Sequence, residues 1–234
     1  MAGKKALFVL TSHTKLINND HPTGWYLPEC AHPYYVLKDA GFEFTFASPK
    51  GGEAPLDQSS VEAFKDDEDS KKFLADPEAQ KLVKNTVKLS EIDPKGEGYA
   101  LIFYVGGHGP MFDLPIDENS KELIKNFYES GRPTSAVCHA PAVFTDVKLS
   151  DGSYLVNGRK VTSFTNTEEE QAKLTEAVPW LAESRLIERG AKFEKADPWQ
   201  EKVIVDKDDQ GRILITGQNP ASAGPLAKAL LSVL

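Results

Sequence analysis

Cysteine is scarce in this sequence: Cys30 and Cys138 are the only two among 234 residues. Two thiols in a chain of this size make no disulfide framework, which points to a reducing, cytoplasmic setting. Long apolar runs are missing too. The first, Ala6–Leu10, is too short for a signal segment with its cleavage site, and no stretch is long enough to span a bilayer. Positive charge is in deficit, with 27 Lys and Arg against 35 Asp and Glu and a net charge of −8, so nucleic acid is not an expected partner. No repeat, linker or second hydrophobic unit divides the chain, and one domain over 1–234 is expected. Phosphate-binding signatures are also lacking. The loop Gly106-Gly107-His108-Gly109 is followed by no Gly-Lys-Ser/Thr and does not complete Gly-x-Gly-x-x-Gly.

What is present is an alternation of strand and helix patterns. Ala6–Leu10, Tyr99–Val105, Ser135–Val137 and Ile213–Thr216 are compact apolar runs of the kind buried in parallel sheets. Phe42–Ala47 and Lys160–Phe164 are predicted strands as well. Between them lie helical patterns over Gly24–Gly41, Asp117–Ser130, Pro179–Gly190 and the C-terminal stretch to Leu234. Pro33 predicts a kink or a late start in the first of these. Residues 56–98 are highly charged, with broken helical segments, and read as an insertion or small cap with a solvated face. The alternation implies one α/β domain with a mostly parallel central sheet, whose ligand site lies at the carboxyl ends of the strands.

The chemistry concentrates at Ser135-Ala136-Val137-Cys138-His139-Ala140-Pro141. A cysteine after an apolar strand is by default a small core residue. Here the strand ends at Cys138, and Pro141 is suited to the first turn of a helix, so the thiol would sit on a sharp exposed turn. A helix N-terminus there predicts a lowered thiol pKa. Gly106 and Gly107 would let backbone N–H groups approach a ligand closely, as an oxyanion site requires, although such turns after strands are common. Glu29 lies near the start of a helix. It is either a solvated first-turn carboxylate or, flanked by Trp25, Tyr26 and Leu27, a buried one that keeps its proton. The run Glu168-Glu169-Glu170 enters another helix, where carboxylates usually only complement the dipole.

Four stretches in order carry a resemblance. They are Pro28-Glu29-Cys30-Ala31-His32-Pro33, Gly106-Gly107-His108-Gly109, Ala136–Pro141 and Ser163–Glu170, with the closing Thr216–Ser222 agreeing. Together they resemble the ThiJ/PfpI superfamily, which includes the Parkinsonism-associated deglycase. The sequence is most similar to the branch of heat-inducible chaperones and glutathione-independent glyoxalases (glyoxalase III). The resemblance implies a flavodoxin-like three-layer α/β sandwich, usually a homodimer. It implies Cys138 as nucleophile, His139 as its acid–base partner and Glu29 as a buried carboxyl against the sulfur. Gly107 and the His139 amide would bind an oxyanion, with Gly106 and His108 beside them. The third triad member falls at Glu169, or at Glu170 if the motif shifts by one residue; the remaining glutamates of the run should face solvent. Tyr34-Tyr35 stand where metal-binding members carry a histidine, so no metal is expected, and no cofactor. The implied substrate is a small 2-oxoaldehyde; protein deglycation, holdase activity and amide transfer are the alternatives.

Overall fold

A computed structural model describes residues 4–234; the first three residues of the expected 1–234 domain lie outside it. In chain order the elements are β1 (Lys5–Val9), α1 (Leu27–Asp39), β2 (Glu43–Ser48), α2 (Gln58–Ala63), α3 (Glu68–Ala75), α4 (Pro77–Lys84) and β3 (Val87–Lys88). Then come β4 (Leu101–Tyr104), α5 (Pro110–Asp113), α6 (Glu118–Glu129), β5 (Thr134–Val137), β6 (Lys160–Val161) and α7 (Asn166–Ala172). The chain closes with α8 (Ala182–Glu188), β7 (Lys192–Phe193), β8 (Val203–Lys207), β9 (Ile213–Gly217) and α9 (Ala223–Val233). Seven strands form the central sheet in the order β3-β2-β1-β4-β5-β9-β8. All neighbours are parallel except the β9–β8 pair at one edge.

Successive side chains of a strand face opposite sides, and the two sides are filled separately. Ala6, Phe8, Leu101 and Phe103 join Leu37, Leu226 and Leu230 on the face covered by α1 and α9. Leu7, Val9, Ile102 and Tyr104 join Leu123, Ile124, Phe127 and Leu186 on the face covered by α6 and α8. The result is a three-layer, flavodoxin-like sandwich, with apolar strands hidden on both faces. No helix among the described residues is long and apolar enough to cross a membrane.

Local chemistry explains the element boundaries. Asp57, Asp67, Asp76 and Asp117 each accept a backbone N–H at the start of the following helix. Pro28 occupies the first turn of α1, where its missing N–H costs nothing. The helix does not wait for Pro33: it starts at Leu27 and continues through that proline. Lys160–Phe164 departs further from the predicted strand. Only Lys160 and Val161 pair, and they pair with β7 in a separate two-stranded sheet. The backbone beyond is committed elsewhere: the Thr162 N–H donates to Thr216 Oγ1, and the Phe164 N–H to the Cys138 carbonyl.

The charged stretch after β2 is stitched into the body of the protein. Trp25 and Leu56 form a parallel bridge, Phe73 is fully buried against Trp25 and Tyr34, and β3 extends the central sheet. Removing a buried phenyl ring costs about 3–5 kcal/mol. Phe73→Ala is therefore expected to lower the unfolding free energy by about that amount in urea titrations; a change under about 1 kcal/mol would show that this segment is not coupled to the core.

Candidate active site

Three loops converge at the carboxyl end of the sheet. Cys138 directly follows β5 and takes φ +62°, the left-handed region. For a non-glycine residue this conformation costs roughly 1–2 kcal/mol. The turn is held from both sides: the Cys138 N–H donates to the Gly217 carbonyl at 2.9 Å, and the Cys138 carbonyl accepts from Phe164 at 2.8 Å. After β4, Gly106 offers no room for a side chain; a Cβ would collide with the Glu29 carboxyl, the Val137 carbonyl and Cys138 Cβ. Gly107 stands at φ +105°, and a Cβ there would strike the Gly24 carbonyl. The first turn of α1 delivers Glu29, which is completely buried.

The side chains form a continuous array. Cys138 Sγ lies 3.2 Å from His139 Nδ1. His139 Nε2 lies 2.7 Å from Glu169 Oε2, and His108 Nε2 lies 2.9 Å from Glu169 Oε1. One carboxylate thus accepts from two imidazoles, whose rings sit 3.9 Å apart. Glu170 is exposed, so Glu169 is the member of the run that meets His139. His108, His139 and Glu169 also make the one cluster of potential metal ligands among the described residues. Both Glu169 oxygens and both Nε2 atoms are already paired with one another.

The array opens into a cavity of about 630 Å³. Glu29, Cys138, His139, Gly107 and His108 line it, and Tyr26, Phe164, Leu174 and Trp199 add apolar walls. Trp199 reaches the site from a distant loop at φ +66°. Its N–H donates to Glu168 Oε1 at 2.8 Å, and its ring packs on Phe164.

Residues 24–233 match the model of the DJ-1/PfpI family. The chain belongs to the DJ-1/PfpI family. Among its relatives, Glyoxalase 3 of Candida albicans is 32% identical over 236 residues, covering 97% of each chain. Glutathione-independent glyoxalase HSP31 of Saccharomyces cerevisiae is 31% identical, covering 100% of this chain and 99% of that one. The crystal structure of glyoxalase III from Candida albicans superposes with a TM-score of 0.86 at 28% identity, covering 99% of this chain and 97% of that one.

The electrostatics of this DJ-1/PfpI site separate its carboxyl groups. Burial pushes Glu29 up to about 8, and the nearby Cys138 thiol and Gly107 amide offset only part of that penalty. Neither Glu29 oxygen makes a hydrogen bond of normal geometry. Burial also works against charge on Glu169, but His139 and His108 outweigh it and hold that carboxyl well below the usual range. Burial lowers the His139 pKa, and His108 lowers it further against the pull of Glu169. His139 is therefore neutral near pH 7, donating from Nε2 to Glu169 and offering Nδ1 to the sulfur.

Two expectations from the sequence need correction. The helix after Cys138 is only a 3₁₀ turn over Ala140–Phe144, which supplies little dipole. Burial, followed by the charge of Glu29, raises the Cys138 pKa rather than lowering it. Glu168 does not face solvent either. It is buried and accepts from Thr165, Trp199, Gln218 and Asn219. Sequence reasoning also missed Tyr26, Phe164 and Trp199 as cavity walls. The Thr165-x-x-Glu168 capping-box spacing was the one local sign that Glu168 turns inward.

Glu29 makes stability depend on pH. Its folded pKa exceeds the unfolded value, so the folded chain binds more protons between about 4.5 and about 8, and stability falls as pH rises through that window. Glu29→Gln should flatten this decline in thermal melts and, by removing the charge beside the thiol, shift Cys138 alkylation to lower pH; parallel profiles for the two proteins would contradict it. Glu168→Gln should cost about 1–3 kcal/mol, because buried donors lose their acceptor, and should loosen Trp199, read by its fluorescence. Unchanged melting and emission would show that the Trp199 loop is held by other contacts.

Proposed function

We propose that the chain is a glutathione-independent glyoxalase of the glyoxalase III type, converting 2-oxoaldehydes such as methylglyoxal to 2-hydroxy acids. The observation that carries the reading is a thiol at the cavity floor with a neutral imidazole on one side and a protonated buried carboxyl on the other. The relatives named as glutathione-independent glyoxalases support it over nearly the whole chain.

As Cys138 Sγ adds to the aldehyde carbon C1, its proton passes to His139 Nδ1. A thiol with a raised pKa gains most from a base that acts during addition. The developing oxyanion is stabilised by the Gly107 and His139 N–H groups and takes the proton back, giving a hemithioacetal. The proton on C1 then passes to the neighbouring carbonyl carbon C2 through an enediol, leaving a 2-hydroxyacyl thioester on Cys138. Water releases the 2-hydroxy acid and restores the thiol. C1 is oxidised and C2 reduced within one molecule, so the chemistry calls for no redox cofactor. Glu169 fixes the His139 tautomer. The reading includes a homodimer in the cytosol with no nucleic-acid partner.

A second reading rests on the cavity. At about 630 Å³ it falls in the range that holds drug-sized ligands and exceeds the need of a three-carbon aldehyde. It has room for a hemithioacetal or aminocarbinol carried on a protein side chain, the substrate of a deglycase using the same thiol.

Methylglyoxal consumption without glutathione, with chiral analysis of the lactate formed, tests the first reading. Wild type should turn over and Cys138→Ala should not, while His139→Ala should lose at least about 10²-fold. Turnover that persists in Cys138→Ala would reject it. Faster release from glycated protein than from free methylglyoxal would favour the deglycase.

A further inference from the structure

The proton transfer from C1 to C2 needs a base inside the cavity, and the groups nearest the sulfur are poorly placed to be it. His139 is free again once the oxyanion has taken the proton back, but its one lone pair, on Nδ1, lies against the sulfur at 3.2 Å, and its Nε2–H is engaged with Glu169. Glu29 keeps its own proton, and both its oxygens are sealed from solvent. Asp57 also lines the cavity, but Oδ1 accepts from Ser59 and Oδ2 from Thr23.

His108 differs from each of these. It lines the same cavity, and its side chain remains 13% exposed. Its Nε2 is tied to Glu169, so in the neutral ring the proton sits on Nε2 and the lone pair on Nδ1. That Nδ1 has no hydrogen-bond partner among the described residues and is not a sealed buried atom. Glu169 therefore gives both imidazoles the same tautomer. One presents Nδ1 to the thiol, and the other presents Nδ1 to the cavity.

We propose that His108 is a second acid–base catalyst at this site, removing the C1 proton of the Cys138-bound hemithioacetal and returning it to C2. The assignment rests on the glyoxalase reading. In the first half-step the C1–H bond breaks, its proton bonds to Nδ1, and the electron pair forms the C1–C2 double bond of an enediol as the C2 carbonyl oxygen takes a proton from solvent. In the second, C2 takes the proton from Nδ1, the C1 hydroxyl releases its proton to solvent, and C1 becomes the thioester carbonyl. No electrons leave the substrate, and His108 returns to its starting form. The two ring centroids lie 3.9 Å apart, which sets the second imidazole beside the first in the wall of the same cavity.

His108→Gln tests the assignment, because the glutamine amide can still donate to Glu169 but cannot act as a base. Turnover of methylglyoxal should fall at least about 10²-fold. The primary kinetic isotope effect with aldehyde-deuterated methylglyoxal should rise, because proton transfer becomes rate-limiting. Cys138 alkylation should fall far less than turnover: the Cys138–His139 pair is kept, and removing His108 only lifts its lowering effect on the His139 pKa. Turnover near wild type in His108→Gln would overturn the proposal. So would a loss of turnover matched by an equal loss of thiol reactivity, which would make His108 a positioning residue acting through Glu169 and His139. Wild-type protein inert towards methylglyoxal would remove the glyoxalase reading itself, a result distinct from a defect confined to the variant.

Discussion

The site depends on the absence of a side chain at Gly106. The Glu29 carboxyl, the Val137 carbonyl and Cys138 Cβ all press on that one position. A methyl group there would force apart the end of β4, the end of β5 and the first turn of α1. Because nothing intervenes, a carboxyl from an early helix reaches a thiol more than a hundred residues later in the chain. The same contact excludes water from Glu29, and that exclusion is what keeps the carboxyl protonated.

The two carboxyl groups nearest Cys138 and His139 differ in charge because their environments differ. Glu29 has no cation nearby and lies in a dry pocket, so it holds its proton up to about pH 8. Glu169 lies between two imidazoles and is ionised. Pairs of titratable groups pushed apart in this way mark acid and base roles. Glu168, next in sequence to Glu169, has a third fate. Its oxygens are spent on holding Trp199 and the Gln218-Asn219 turn, which shape the wall of the cavity rather than its chemistry.

Much of this was legible in the sequence where a signal is local. The apolar runs at β1, β4, β5 and β9 gave the sheet core, because strands buried on both faces read as continuous hydrophobic segments. The sharp turn at Cys138 followed from a strand ending beside a proline-bearing turn. Features set by long-range contact were not legible. Lys160–Phe164 reads as one strand, yet only Lys160 and Val161 pair, and the N–H groups of Thr162 and Phe164 are drawn off to Thr216 and to the Cys138 carbonyl. The Cys138 thiol was expected to be acidic because a helix N-terminus is visible in sequence and burial is not. Glu168 looked like any solvated first-turn glutamate, since its partners at Trp199, Gln218 and Asn219 lie 31 or more residues downstream.

The strand order has a consequence for the nascent chain. β5, which Cys138 directly follows, gains its second neighbour only when β9 arrives near the C-terminus. The carbonyl that holds the Cys138 turn, Gly217, comes from that last strand, and Glu169 and the Trp199 wall are likewise made late. Domains fold as units while synthesis proceeds from the N-terminus. A ribosome-bound fragment ending before β9 therefore carries an ordinary cysteine, with no clamped turn around it. The clamped turn, the Glu169 contact and the cavity wall are therefore complete only once the last strand is in place.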